Sequence, residues 1–242
     1  MSVVQRHYDG HLGPVYAWMH GGIESAIERG AAEIDRVGID HSDGGLAVDL
    51  GTGFGTHAIP LARRGFEVLA IDTCAALLDE LKAQGQDMSI EAVLGDLHEF
   101  RRHLRRTPEL ILCMGDTLTH LENETAVISL INGASTALSR GGRLVITFRD
   151  YSNALTAEQR FIPVRSDERR VLTCFLEYTD SRVTVHDVLH EWHDAAWQMT
   201  VSAYPKLRLS PAWVIKVMEN NGFSVKRSEG SSGMVCLVAC RR

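Results

Sequence analysis

The chain has 242 residues, of which 45% are hydrophobic and 23% charged, with a formal net charge of −6. That describes a globular chain of one large or two small domains, able to bury a core without disulfides or metal. The acid excess argues against a nucleic-acid partner, and the five cysteines, with no CxxC pair, read as reduced thiols. No apolar run is long enough for a membrane span and the N-terminus shows no signal pattern, so a cytoplasmic protein is expected.

Residues 1–45 are polar and glycine-dotted and carry Tyr8, Tyr16 and Trp18, with helical spacing at Ile23, Ile27, Ile34 and Val37. They are expected to form an N-terminal helical lid. From Leu46, short β-branched runs alternate with helices. Strands are predicted at Leu46–Leu50, Glu67–Ile71, Ile90–Leu94, Leu110–Met114 and Arg143–Phe148. Helices are predicted at Thr56–Arg64, Thr73–Ala83, about 97–106 and about 123–139. This alternation implies an α/β fold with a doubly wound, mostly parallel sheet.

The rhythm breaks at about 159–207. There Val171–Tyr178, Arg182–Trp192 and Ala196–Tyr204 alternate as antiparallel strands, with a turn at Thr179-Asp180-Ser181. This block reads as an antiparallel β insertion within one domain spanning 46–242. Ser210 caps a helix with Pro211 at its first position, running to about Asn221. Two strands, Phe223–Ser228 and Met234–Ala239, close the chain.

The loop Gly51-Thr52-Gly53-Phe54-Gly55-Thr56 falls where the first strand meets the first helix, and such glycines let a ligand press on backbone amides. A dinucleotide wants GxGxxG, but here the third glycine comes one residue early and Thr56 stands in the last place. Asp49, two residues before the first glycine, repels a pyrophosphate and suits a cationic amino-acid ligand. The loop therefore fits S-adenosylmethionine better. Asp72 ends the second strand, where it can accept ribose hydroxyls from either cofactor. Asp96 follows the third strand, placed to accept from an adenine amino group or to cap the next helix.

With these three acids and the glycine loop, the sequence resembles the class I S-adenosylmethionine-dependent methyltransferases over about 46–150 and 210–240. The resemblance implies a seven-stranded sheet with a reversed last strand. It places Asp49, Gly51, Gly53 and Gly55 around the methionine part, Asp72 at the ribose, and Asp96 and Leu97 at the adenine.

After the fourth strand comes Cys113-Met114-Gly115-Asp116-Thr117-Leu118-Thr119-His120-Leu121, an unusually polar stretch, and the fifth strand ends in Arg149-Asp150-Tyr151. With Tyr8–Gly21 and Ser202–Pro211, these segments resemble the glycine and sarcosine N-methyltransferase group. That group carries CLGNS-x-x-HL, R-[ND]-Y and S-x-YP motifs. The resemblance implies that Arg149 holds a substrate carboxylate, that Tyr8 and Tyr204 lie near the sulfonium and the acceptor, and that His120 supports the site. Cys113 falls in the segment bordering the cofactor. Asp116 stands where the group has asparagine, and Met19 where it has a second tyrosine; both departures bear on the acceptor rather than on the donor.

Methyl transfer from a sulfonium is an in-line displacement, so alignment and water exclusion are the main tasks. Tyr16 and Trp18 are candidate walls for the substrate. An amine acceptor must lose a proton, which Asp116 or His120 could take; Asp116 could instead pair with a cationic substrate. The expected function is methyl transfer to a small molecule, an amine bearing a carboxylate. The alternatives are a small-molecule O-methyltransferase, a nicotinamide oxidoreductase and a non-catalytic S-adenosylmethionine-binding protein. The run of Arg101, Arg102, Arg105 and Arg106 reads as a solvated helix face. His186, His190 and His193 do not share one strand face, so no metal is expected. The strands at 159–207 either cover the site or pair with a second subunit in a homo-oligomer.

Overall fold

The computed structural model describes residues 2–242. Two short helices, α1 (Val3–His7) and α2 (Gly13–Met19), flank a wide π turn at Tyr8–Leu12. Gly13 permits that turn, since a Cβ there would lie 2.5 Å from the Tyr8 carbonyl oxygen. Helix α3 (Ile23–Arg36) follows and buries Ile27 and Ile34.

The α/β core then unfolds in order as β1 (Leu46–Leu50), α4 (Ala58–Arg63), β2 (Glu67–Asp72), α5 (Ala75–Gln84), β3 (Ile90–Leu94), β4 (Leu110–Cys113), α6 (Glu124–Ala137) and β5 (Arg143–Phe148). Next come β6 (Phe161–Ser166), β7 (Arg170–Tyr178), β8 (Arg182–His193) and β9 (Ala196–Leu207). The chain closes with α7 (Pro211–Asn220), β10 (Phe223–Glu229) and β11 (Val235–Arg241). The main sheet has the order β10-β11-β5-β4-β1-β2-β3 and is parallel except at β11, which runs against both its neighbours. The seven-stranded sheet expected from the sequence is therefore present, with its reversed strand.

Every residue of β1 is buried, because helices cover both faces of the sheet. On one face α6 and α7 contribute Val127, Leu130, Ile131, Val214 and Met218. On the other, Ile27, Ile34, Ile59, Leu61, Leu78 and Leu81 come from α3, α4 and α5. Asn123 and Ser210 cap α6 and α7 by accepting from the Ala126 and Trp213 amides, interactions each worth about 1 kcal/mol.

Two elements differ from expectation. The helix predicted at about 97–106 is a 3-10 segment, Leu97–His103, with only Phe100 buried. It lacks the apolar stripe that holds an α-helix on a sheet. Strand β6 was not predicted; its Pro163 breaks the register before Arg165, as an edge strand tolerates.

Strands β6 to β9 form a separate antiparallel sheet in that order. Its inner face buries Leu172, Leu176, Val183, Val185 and Leu189, while Phe161, Trp192, Trp197, Met199 and Val201 are exposed. Among the described residues no helix is long and apolar enough to cross a membrane.

Candidate active site

The chain leaves β1 toward β2 on one side and returns to β4 on the other, so the crevice between their carboxyl ends is the sheet's switch point. The glycine loop fills its floor. Gly51, Gly53 and Gly55 have φ of 75°, 57° and 94°, a region in which side chains are strained. A Cβ on Gly51 would lie 2.5 Å from Thr117 Cγ2, and one on Gly55 would overlap Leu81. At Gly53 a Cβ would meet only the Tyr16 ring, at 3.6 Å. The first and third glycines thus seat the loop, and the second leaves a cradle under the lid.

Asp72 braces this loop. Its Oδ2 accepts from the Gly53 amide at 2.8 Å and its Oδ1 from the Cys74 amide at 2.9 Å. Asp49 is buried and accepts from the Thr52 hydroxyl at 2.7 Å. Burial pushes both carboxyls above the usual carboxylate range. Their hydrogen bonds do not fully offset that burial, and a cationic ligand beside them would favour the ionised forms. Asp96 is exposed and caps the 3-10 segment, its Oδ1 accepting from the His98 amide at 2.8 Å. Leu97 packs on the core beside it, and Cys113 is fully buried at the end of β4, where burial pushes its thiol up.

Beyond β4 the backbone turns through Gly115 and Asp116, both at positive φ. For an aspartate that conformation is costly and needs strong local restraint. Asp116 has it. Its Oδ1 accepts from the Arg149 amide at 2.8 Å and the Thr119 hydroxyl at 3.0 Å. Its Oδ2 accepts from the Tyr151 hydroxyl at 3.3 Å and from the Lys206 ammonium. Burial works to raise this carboxyl, but Lys206, the Arg149 amide and His120 outweigh it and hold it below the usual range.

The lid closes over this floor as a chain of rings. Tyr16 stands 5.5 Å from Phe54 and 5.8 Å from Tyr8, between ring centres, and Tyr8 stands 5.8 Å from His120. His120 stacks on Tyr204 at 5.4 Å, and Tyr204 lies 4.1 Å from His7. The structure therefore brings Tyr8, Tyr16, His120 and Tyr204 together above the glycine loop. Burial, with Lys206 nearby, pulls His120 down to about 3, so its imidazole is neutral near pH 7. Its Nδ1 is buried with no hydrogen-bond partner. Burial drives the phenols of Tyr8 and Tyr204 well up and that of Tyr16 to about 12, so all three stay protonated.

His7 ties the lid to the inserted sheet, with Nε2 3.0 Å from Asp187 Oδ2 and Nδ1 2.8 Å from Ser202 Oγ. Trp18 turns away from the ring cluster. Its Nε1 donates to Asp167 at 2.5 Å in the β6–β7 turn, and the Arg165 and Arg170 guanidiniums lie 5.8 and 5.7 Å from its ring. Arg149 is exposed, and its Nη1 donates to the Ser232 carbonyl at 3.2 Å. Met19 packs with Leu172 and Leu189.

Sequence reasoning missed Lys206, His7 and Asp187. A signal for two of them was present. Asp187 follows Val183 and Val185 on the inward side of β8, and Lys206 follows Ser202 and Tyr204 on that of β9. A charge on the apolar phase of an alternating strand requires a partner.

The open cradle at Gly53, the raised acids and the neutral ring roof have the shape and charge that S-adenosylmethionine would need, on a seven-stranded sheet with one reversed strand. Residues 47–142 match the family model described as methyltransferase domain. The chain is also similar to the glycine/sarcosine N-methyltransferase of Aphanothece halophytica, 27% identical over 106 residues, which span 43% of this chain and 40% of that protein. The same enzyme of Halorhodospira halochloris is 28% identical over 45% of this chain and 41% of its own. The chain thus matches about 40% of the length of these curated relatives. Solved structures extend the likeness in fold to nearly the whole chain. The CcbJ methyltransferase of Streptomyces caelestis has a TM-score of 0.77 at 17% identity, covering 98% of both chains. CalS10, an amino pentose methyltransferase from Micromonospora echinaspora, has a TM-score of 0.74 at 18% identity over 96% of this chain and 97% of its own. The family model and the curated relatives favour S-adenosylmethionine over a nicotinamide as the ligand of the glycine loop.

Proposed function

We propose that the chain methylates the amine nitrogen of a small molecule bearing a carboxylate, in a closed site between the glycine loop, the lid and the inserted sheet. Asp49, the three loop glycines, Asp72, Asp96 and Leu97 would hold S-adenosylmethionine, with Tyr8 and Cys113 at its border. When bound, that cofactor supplies an electrophilic methyl on a sulfonium. The observation that carries the proposal is the unpartnered Nδ1 of a neutral His120 enclosed by Tyr8 and Tyr204. A buried acceptor without a donor costs about 1–3 kcal/mol, which an incoming N–H relieves. His120 Nδ1 accepts that hydrogen and turns the nitrogen lone pair toward the donor. Tyr8, Tyr16 and Tyr204 exclude water. Asp116 takes a positioning role in this reading, since both its oxygens are already engaged.

The test is release of S-adenosylhomocysteine across a panel of amines, amino acids, phenols and thiols. Turnover of phenols alone would replace this reading with O-methylation, and no turnover of any acceptor would leave a binding protein. The carboxylate part rests on Arg149, whose exposed side chain donates one hydrogen bond, to the Ser232 carbonyl. Arg149→Ala is expected to raise the acceptor KM about 10- to 100-fold and leave donor affinity intact, as loss of a charged hydrogen-bond pair would. An unchanged acceptor KM removes the carboxylate from the proposal.

The outer face of the inserted sheet supports self-association, since Trp192 and Trp197 touch across β8 and β9 and, with Met199 and Val201 further along β9, are exposed. A two-fold pairing buries the same face on both copies. Light scattering is expected to report at least a dimer, and Trp197→Glu a monomer; a monomeric parent chain refutes it.

A further inference from the structure

The buried Lys206–Asp116 pair is not explained by donor binding, and it lies where the sequence departs from the asparagine of the group it resembles. Lys206 projects from the inner face of β9, two residues beyond Tyr204. Its ammonium bonds Asp116 and sits 5.9 Å from the Tyr151 ring centre and 5.6 Å from that of Tyr204. One contact therefore joins the inserted sheet to the turn that carries His120. It also neutralises Asp116. The other acid on this side, Asp187, is engaged by His7 and by the Cys174 thiol, which donates to it at 2.8 Å. The charged and titratable groups acting on His120 are Lys206 and Asp116 together with His7 and Asp187.

We propose that Lys206 is a positioning residue that cancels the charge of Asp116 and thereby keeps both His120 and the acceptor nitrogen uncharged beneath the lid. An amine attacks only as the free base. An unneutralised carboxylate beside it would hold the ammonium form, binding the acceptor tightly and slowing its reaction. Asparagine at this position needs no such counter-charge; aspartate does, and Lys206 supplies it from a strand 90 residues away. The proposal rests on the amine-methylation reading for its kinetic consequence, though not for its effect on His120.

The experiment uses Lys206→Met, Asp116→Asn and their combination in the full chain. The two single changes unbalance the site in opposite directions. Lys206→Met is expected to lower the amine KM and lower kcat, each about tenfold, with the pH optimum moved upward. Asp116→Asn leaves an unpaired ammonium and is expected to raise KM by a similar factor. The double variant is expected to return both constants toward those of the parent chain. Independently of any acceptor, the histidine NMR titration of Lys206→Met is expected to show the His120 midpoint raised by at least about one pH unit, because the cation is gone and the acid remains. Lys206→Arg is expected to leave that midpoint unchanged. If Lys206→Met does not fold, Asp116→Asn and the double variant still test the raised KM and its reversal. Single variants that both raise KM without rescue in the double, or a His120 midpoint that does not move in a folded Lys206→Met, overturn the proposal. Failure of every acceptor in the turnover screen would remove the amine reading and leave the NMR result to decide the role of Lys206.

Discussion

Replacing Asp72 with alanine is expected to weaken S-adenosylmethionine binding by about 100-fold or more. Asp72 accepts two backbone amides, at Gly53 and Cys74, and so holds the loop that forms the cradle. Hydrogen bonds to an ionised group are each worth about 1.5–3 kcal/mol, and about 2.7 kcal/mol is already 100-fold. The loss of a ribose acceptor would add to this. Asp72→Asn keeps one acceptor oxygen and is expected to fall between the alanine variant and the parent chain. The effect has a pH signature. Because burial raises the carboxyl, its ionised form costs folding stability at neutral pH, and that cost declines as pH falls. A bound cation offsets the same cost. Donor affinity is therefore expected to drop on acidification, starting at a higher pH than for an ordinary aspartate. Calorimetric titration of the three proteins across pH checks both statements, and equal affinities in all three would rule out Asp72 as an anchor.

The second large effect is expected at Gly30→Ala, on the helix packed behind the glycine loop. A Cβ there would overlap the Thr56 carbonyl oxygen and lie 3.0 Å from Thr56 Cγ2, so α3 and the end of the glycine loop cannot keep their present spacing. Overpacking costs about 1–3 kcal/mol, while alanine regains up to about 1 kcal/mol of helix propensity. A net loss of about 1–2 kcal/mol in a chain of this size lowers Tm by roughly 2–8 °C. Donor affinity is expected to fall with it, because the displaced neighbour is the loop itself. Gly10→Ala is the control: no atom outside its chain neighbours lies within 4 Å of its added Cβ, so Tm is expected to stay within about 1 °C of the parent. A Gly30→Ala protein that melts like the control would show that the two elements are not in tight contact.

The glycine loop was legible along the chain. The strand–loop–helix around Gly51–Gly55 and the acid ending β2 lie within one local unit, where hydrophobic period and glycine placement speak directly. The acceptor side was less so. Asp116 and His120 were identifiable as polar residues after a buried strand, but Asp116 read as a free acid because its neutralising lysine lies 90 residues on. Trp18 read as a wall of the substrate site because an aromatic in a lid has no direction in sequence; its indole instead bonds Asp167, 149 residues later. The third tie, between His7 and Ser202, spans 195 residues.

Residue order alone therefore specifies the α/β layering and the switch-point loop, since each depends on patterns repeating over a few residues. Which acids stay free, which rings roof the site and which way Trp18 and Arg149 turn depend on contacts between the lid, the glycine loop and the inserted sheet. Those contacts form only when segments distant in the chain are packed together, and burial with the enclosed charges then keeps His120 neutral and Asp116 ionised.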